Sequence, residues 1–350
     1  MDTKIIKIDE ADYDKSLLRL AAEALAEGGT VAFPTETVYG IGANALDETA
    51  IKKIFKAKGR PSDNPLIVHV TSVEAVKTLV EEISPVAQKL MDAFWPGPLT
   101  IIFRKSVVVP ESVTAGLDTV AIRMPSHPIA RDLIDQSGVP VAAPSANLSG
   151  KPSPTSGEHV IEDLNGRVDY IVVGDQTEVG LESTVVDATG DTVMILRPGG
   201  VTREALEKVV PVVCVDPAIE GHQEEKLVPR SPGMKYTHYA PEAEVLLIQG
   251  QEVPMVEMIQ NMCVRLGNSG KRVGIMTCDE HLEDYNCGVV ISLGSRQNLE
   301  EVAQNLFKTL RDFDAHGVDI ILAEVFDEHG MGSAVMNRLR KAAGNQVIEV

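Results

Sequence analysis

Five cations, Lys52, Lys53, Lys56, Lys58 and Arg60, stand without an intervening acid between Thr49 and Ser62. Residues 1–208 carry 20 basic and 30 acidic side chains, so a cationic focus in that field draws an anion such as phosphate or bicarbonate. Lys52, Lys53 and Lys56 read as one solvated helix face. Lys58 and Arg60 differ, because Gly59 and Pro61 end the helix around them and the polar loop Ser62-Asp63-Asn64-Pro65 follows. They are candidates for catalysis or phosphate binding. A second constellation, Ala142-Ala143-Pro144-Ser145-Ala146-Asn147-Leu148-Ser149-Gly150, lies just past an apolar strand, where ligands of open α/β sheets sit. Ser145 and Asn147 could serve phosphate oxygens or the water shell of a metal, or form a local Asx or Ser turn. No His or Lys nearby is placed as a base for Ser145, which disfavours it as a covalent nucleophile. His69 ends the apolar run Leu66-Ile67-Val68-His69-Val70, and Arg123 sits in Val120-Ala121-Ile122-Arg123-Met124, where a buried guanidinium needs an anionic partner. A substrate carboxylate could be that partner. Arg197-Pro198-Gly199-Gly200 closes another strand and Glu182-Ser183-Thr184 opens one, so a single cleft could collect these strand-end residues.

The elements that must hold them alternate between short apolar runs and amphipathic segments, the pattern of an α/β fold. Helices are expected over Leu17 to Glu27, with Ser16 as cap, and over Glu48 to Lys58, Pro85 to Phe94, Pro128 to Ser137, Ser156 to Leu164 and Arg203 to Val209. Strands are expected over Thr30 to Phe33, Leu66 to Val70, Thr100 to Phe103, Val120 to Met124, Val139 to Ala143, Tyr170 to Val173, Thr184 to Asp187 and Val193 to Leu196. These complete one domain over residues 1–210. Residues 211–241 read as a linker broken by Pro and Gly, yet its second half, Arg230 to Pro241, gathers cations and aromatics that a spacer does not need and that suit a lid. Over 242–350, strands at Val245 to Ile248, Val273 to Met276, Val289 to Ser292 and Ile320 to Ala323 alternate with helices, as in a smaller Rossmann-like domain.

Composition narrows the function classes. The chain has 350 residues, 44% hydrophobic and 24% charged, which is globular, and its net charge of −19 argues against a protein that coats nucleic acid or anionic membrane. The four cysteines, Cys214, Cys263, Cys278 and Cys287, form no C-x-x-C pair, so neither a disulfide framework nor a zinc ribbon is expected. With no leader pattern or long apolar run, a cytoplasmic location is expected. Signatures of P-loop NTPases, zincins and α/β-hydrolases are absent. Gly40-Ile41-Gly42-Ala43-Asn44-Ala45 satisfies G-x-G-x-x-A, but six residues separate it from the preceding strand, so the glycines more simply allow a turn or a close backbone approach.

Taken together, Phe33-Pro34-Thr35-Glu36-Thr37-Val38-Tyr39-Gly40, Lys58-Gly59-Arg60-Pro61, Pro65-Leu66, Ala143 to Gly150 and Leu196-Arg197-Pro198-Gly199 resemble the YrdC-like domain of threonylcarbamoyl-AMP synthases, over residues 14 to 208. Ser231 to Pro241 and the domain beyond resemble the long, two-domain form of that family. The resemblance implies a YrdC-like twisted mixed sheet with flanking helices, plus a C-terminal Rossmann-like domain. It implies a nucleotidyltransferase that joins L-threonine, bicarbonate or CO2 and ATP into L-threonylcarbamoyladenylate, releasing pyrophosphate, with Mg²⁺ entering alongside ATP. The product would pass to a tRNA threonylcarbamoyl transferase complex for N6-threonylcarbamoyladenosine formation.

By the same resemblance, Lys58, Arg60, Ser145 and Asn147 are catalytic. Thr35, His69, Arg123, Ala143 and Ser183 hold L-threonine, and Lys58, Ser62, Thr119, Ser145, Ser153, Arg197 and Tyr236 hold ATP. Stable nucleic-acid or membrane binding is not expected. Two other classes remain open at this stage: a module holding double-stranded RNA on a concave basic face, and a hydrogenase-maturing carbamoyltransferase, although the cysteine-rich fingers of the latter are missing.

Overall fold

The computed structural model describes residues 1–219 and 239–350, which divide into two compact units. The first comprises Met1–Ser149, Ser153–Glu178 and the described residues from Glu182 to 219; the second comprises residues from 239 onward with the short segments Gly150–Pro152 and Val179–Leu181.

The first unit is built on one mixed sheet. Its strands are β1 (Lys4–Lys7), β2 (Val31–Phe33), β3 (Gly40–Asn44), β4 (Ile67–His69), β5 (Leu99–Arg104), β6 (Thr119–Arg123), β7 (Val141–Ala142), β8 (Tyr170–Val173), β9 (Thr184–Asp187), β10 (Val193–Arg197) and β11 (Val213–Val215), in the order β1-β8-β2-β3-β7-β4-β6-β5-β9-β10-β11. Parallel pairs (β4 with β6, β5 with β9) occur among antiparallel ones (β3 with β7, β4 with β7, β5 with β6).

Because strand side chains point alternately to the two faces, each strand here serves two purposes. Val68, Ile101, Ile122, Val186 and Ile195 enter the main core under the helices, whereas Ile67, Ile102, Ala121, Val185 and Leu196 form a thin apolar floor on the other face. His69 and Arg123 share that second face with Ile67 and Ala121. Its floor is small because the face has polar work to do.

Helices follow their caps. Asp47 accepts from the N–H groups of Thr49 and Ala50 to start the helix Glu48–Lys58, and Gly59, left-handed at φ 61°, ends it. Ile51, Ile54, Phe55 and Lys58 fall on one stripe of that helix and are all buried, while Lys52 and Lys56 are exposed as expected. The first helix starts differently from expectation. Asp14, not Ser16, supplies the cap, and a 3-10 turn over Lys15–Leu18 precedes the helix Arg19–Ala26. Elements that escaped the sequence reading include β1, β3, the helices Val73–Leu79 and Glu111–Thr114, and β11, which adds to β10 in parallel inside the stretch read as the start of the linker.

Gly40-Ile41-Gly42 is strand, not a turn into a helix, so the dinucleotide fingerprint is absent here. A Cβ on Gly42 would stand 2.6 Å from Val141 Cγ1 and 2.7 Å from Phe33 Cε1, whereas one on Gly40 would meet Ala143 Cβ at 3.4 Å. Gly42 is a close approach.

The second unit carries β12 (Glu244–Gln249), β13 (Val273–Thr277), β14 (Val289–Ser292), β15 (Ile320–Glu324) and β16 (Val347–Glu349), in the order β14-β13-β15-β12-β16. All pairs are parallel, and the helices Glu252–Asn268, Leu299–His316 and Met331–Ala342 connect them. Such a sheet requires both faces covered, which explains the apolar runs Val273 to Met276 and Ile320 to Ala323. Among the described residues no helix is long and apolar enough to cross a membrane.

Overpacking of this kind typically costs about 1–3 kcal/mol. Gly42→Ala should therefore lower the unfolding free energy by that order, read as a lower urea midpoint at unchanged slope, and Gly40→Ala by clearly less. Equal midpoints for the two variants would show that Phe33 and Val141 yield freely.

Candidate active site

The polar face of the first sheet is assembled by register. His69 lies opposite Arg123 across β4 and β6, and Thr100 lies opposite Arg123 across β5 and β6. Ser183 immediately precedes β9, and its hydroxyl lies 2.7 Å from that of Thr100. Arg197, at the end of β10, donates to the Ser183 carbonyl and hydroxyl, both at 3.1 Å. Ala143 continues β7, donating its N–H to the Ile67 carbonyl at 2.9 Å. Thr119 opens β6 on the face that Arg123 closes. Period-2 alternation thus gathers side chains from His69 to Arg197, 128 positions apart at the extremes.

Arg123 is 4% exposed and has a protein anion beside it. Its Nη2 lies 2.8 Å from Glu36 Oε2, and its Nη1 donates to Thr37 Oγ1 at 2.8 Å. Ser126 N–H donates to the other Glu36 oxygen at 3.1 Å. Burial acts to raise the Glu36 pKa, but the Arg123 charge and hydrogen bond together with the Ser126 amide prevail, and the carboxyl is held below its ordinary value. The loop between β2 and β3 brings Glu36 there. Within the loop, Thr35 Oγ1 donates to Val38 O at 2.7 Å and lies 2.8 Å from Thr37 Oγ1, so Thr35 joins the Arg123 network through one hydroxyl.

The cationic corner is built from the helix Glu48–Lys58. Lys58, 3% exposed, donates from Nζ to Asn147 O at 2.6 Å and to Asn147 Oδ1 at 3.3 Å, and also bonds to Ser145 O. Ser145 Oγ donates to Asn147 Oδ1 at 2.5 Å. The loop is pinned on its other side, where Ala146 N–H donates to Tyr39 O and Ser149 N–H to Lys58 O. Arg60, half-buried, lies over the Phe55 ring at 5.9 Å and donates to Asn64 O. Ser62 sits in the exposed turn beyond, apart from these networks. Ser153, fully buried, donates to Glu182 Oε1 at 2.5 Å. Tyr236 and residues 230–238 of the expected lid lie outside the described residues.

Glu36, Thr37, Thr100 and Glu182 were not assigned roles from sequence. One signal existed: a guanidinium in an apolar strand requires a counter-charge, although nothing local says which acid supplies it.

His69 is neutral in this setting. Burial, then the Arg123 charge, push its pKa from 6.5 down to about 3. Its ring is fixed by Nδ1 at 3.2 Å from Ile67 O. Because the unfolded chain takes up a proton near pH 6.5 that the folded chain refuses until about 3, the contribution of His69 to stability is whole above 6.5 and declines as pH falls through that window. The slope is at most about 1.4 kcal/mol per pH unit. Between pH 6.5 and 5, His69→Gln should flatten the pH dependence of the unfolding free energy relative to the unaltered chain. Identical slopes would mean that the folded state admits the proton.

A sequence profile described as "Telomere recombination" matches residues 23–199, and one described as "Threonylcarbamoyl-AMP synthase, C-terminal domain" matches residues 201–344. The chain is 50% identical over 348 residues to a threonylcarbamoyl-AMP synthase of Pyrococcus abyssi, covering 99% of this chain and 100% of that one. It is 49% identical over 341 residues to the enzyme of that name from Bacillus subtilis, covering 97% and 96%. A solved structure of P. abyssi Sua5 complexed with L-threonine superposes with a TM-score of 0.94 at 49% identity, covering 99% of this chain and 100% of that chain. With both profiles matched in sequence and the fold reproduced over nearly its whole length, this chain belongs to the threonylcarbamoyl-AMP synthase family, in its long, two-domain form.

Proposed function

We propose that the first domain catalyses ATP-dependent formation of L-threonylcarbamoyladenylate from L-threonine, bicarbonate or CO2, and ATP. The observation that carries this reading is that the loop between β2 and β3 ties a polar pocket (Thr35, His69, Arg123, Ser183) to a buried cationic corner (Lys58 with the Ser145–Asn147 loop): Thr37 accepts from Arg123, and Tyr39 O accepts from Ala146 N–H. A relative of about half-identical sequence has been solved with L-threonine bound, which supports assigning the polar pocket to the amino acid.

In this reading the threonine amine takes up CO2 as a carbamate. A carbamate oxygen forms a bond to the α-phosphorus of ATP, the bond to the bridging oxygen breaks, and pyrophosphate leaves. No protein nucleophile is required; the residues position reactants and neutralise charge. Arg60, beside the buried ammonium of Lys58, supplies positive charge for phosphate and carbamate. Neutral His69 and the Thr35 and Ser183 hydroxyls offer hydrogen bonds to the threonine hydroxyl and amine, and Arg123 reaches its carboxylate while keeping Glu36 as its standing partner. Ala143, lacking a bulky side chain, lets the amino acid approach the strand.

Ser62, Thr119, Ser153 and Arg197 complete the nucleotide side, with Tyr236 from the segment before the second domain. Ser145 Oγ and Asn147 Oδ1, two neutral oxygens 2.5 Å apart, fit the water shell of a Mg²⁺ ion that would offset phosphate charge. The product is a mixed anhydride that hands its threonylcarbamoyl group to tRNA through a transferase complex, and the reaction would run in the cytoplasm.

Pyrophosphate release measured with threonine, bicarbonate and ATP, each omitted in turn, tests the reading. Release independent of threonine overturns it. Within a working assay, Arg60→Ala should lower kcat/KM by about 10²–10³-fold, the loss typical of one charge-stabilising group. Arg60→Ala should leave stability nearly unchanged. Lys58→Ala should lose comparable activity and also about 1–3 kcal/mol of stability, because the carbonyls it holds become buried and unsatisfied. Replacing L-threonine by 2-aminobutyrate should cost far more than the roughly tenfold of a lost apolar contact, since the hydroxyl partners would be left unpaired in a closed site. Equal efficiency with both amino acids would assign the pocket to the amino-acid head alone.

A further inference from the structure

The second domain holds a polar cluster that the proposed synthesis does not use. Cys278, His281 and Glu324 are all buried, and their Sγ, ring nitrogen and carboxylate oxygen lie within 4.8 Å of one another. Cys278 Sγ is 3.5 Å from His281 Nδ1 and 3.7 Å from Glu324 Oε2, and His281 Nδ1 is 2.9 Å from the same oxygen. With metal–sulfur bonds of about 2.3 Å and metal–nitrogen or –oxygen bonds of about 2.0–2.1 Å, three vertices of a tetrahedron stand roughly 3.3–3.6 Å apart. The three atoms approximate that triangle.

The fold explains the convergence. Cys278 follows β13 directly and caps the 3-10 turn Asp279–Asp284, in which positions three apart eclipse, so Cys278 and His281 share one edge. Glu324 closes β15, the neighbour of β13, so all three meet at the carboxyl edge of a parallel sheet, where α/β domains bind ligands. Glu324 is oriented by its other oxygen, which accepts from Thr277 Oγ1 at 2.5 Å and Tyr285 Oη at 2.7 Å. That leaves Oε2 facing the cysteine and histidine, the kind of outer support that carboxylate ligands have in metal sites.

Arg296 also contacts Oε2, through Nη2 at 2.5 Å. It also hydrogen-bonds the Cys278 thiol and is held by Val325 O at 2.9 Å and by the Phe326 ring at 5.1 Å, and its charge offsets part of the negative charge of a thiolate and a carboxylate held together. A cavity lies beside one of the three residues. His281 forms part of the wall of a cavity of about 360 Å³ whose other lining includes Glu252, Glu257 and Asp284, an acidic mouth that concentrates cations.

We propose that Cys278, His281 and Glu324 bind one divalent transition-metal ion of the zinc class, with the fourth position open toward this cavity. The thiol releases its proton to solvent as the metal binds. The C-x-x-H spacing with a distant Glu does not match a zinc ribbon, so it drew no notice in the sequence.

The untagged full-length chain, stripped with chelator and titrated with Co²⁺, should take up a single equivalent with tetrahedral visible bands and a near-ultraviolet thiolate-to-cobalt band. Cys278→Ser should lose the charge-transfer band, and His281→Ala should lose tight uptake. Absence of uptake by the unaltered chain, or a charge-transfer band unchanged in Cys278→Ser, overturns the proposal. Should either variant fail to melt cooperatively, X-ray absorption on the zinc-loaded unaltered chain decides instead. One sulfur among nitrogen and oxygen neighbours supports the site; no sulfur, or several, refutes it.

Discussion

The buried ion pair between Arg123 and Glu36 is the constraint around which the first domain is arranged. A guanidinium at 4% exposure in the middle of a sheet is tolerable only with an anion against it, and removing one partner of such a pair typically costs about 3–5 kcal/mol. Satisfying Arg123 obliges the loop between β2 and β3 to fold across the polar face, because Glu36 and Thr37 are its partners. Once the loop lies there, Tyr39 presents its carbonyl to Ala146 and locates the Ser145–Asn147 segment. His69, opposite Arg123, is kept neutral partly by the same positive charge. One ion pair therefore sets a loop position, a protonation state and the entrance to a second network.

That second network turns on Lys58. Its ammonium reaches the backbone of residues 145 and 147 and so reads loop shape as well as supplying charge. Its placement follows from helix geometry: Lys58 lies on the buried stripe with Ile51, Ile54 and Phe55, and Gly59 stops the helix one residue later. Arg60, beyond that stop, is half-buried and more exposed to an incoming anion. Two cations two residues apart thus have different duties, one held by the loop it organises and one left at the edge.

Within the second domain the same logic yields a different result. Parallel strands bury both faces, so polar side chains gather at strand ends, and Thr277, Cys278 and Glu324 do so at adjoining ends of β13 and β15. Glu324 is a fully buried anion at that point, and it draws Tyr285, His281 and Arg296 around it.

How much was legible in advance follows from the range of the interactions involved. The helices Pro85–Phe94 and Pro128–Ser137 were readable because proline at the first position, helical spacing and a clear stop are all local. So was Tyr170–Val173, a continuous apolar run between turn residues. The family itself, and with it the candidate residues Lys58, Arg60, Ser145 and Asn147, was carried by short motifs that need no partner to be recognised. By contrast, β1 and β11 are edge strands of weak apolar character that exist through pairing with β8 and β10, and β3 is a strand whose glycines mimic a loop. Glu36 as the partner of Arg123, Glu182 as the partner of Ser153, and the meeting of Cys278 with Glu324 across 46 positions were likewise decided by register between distant strands. By itself the sequence determined propensity, caps, buried stripes and motifs, which act over a few residues. Only the tertiary structure decided which charges face each other, because that depends on sheet order, and sheet order is set by the summed packing of the whole domain.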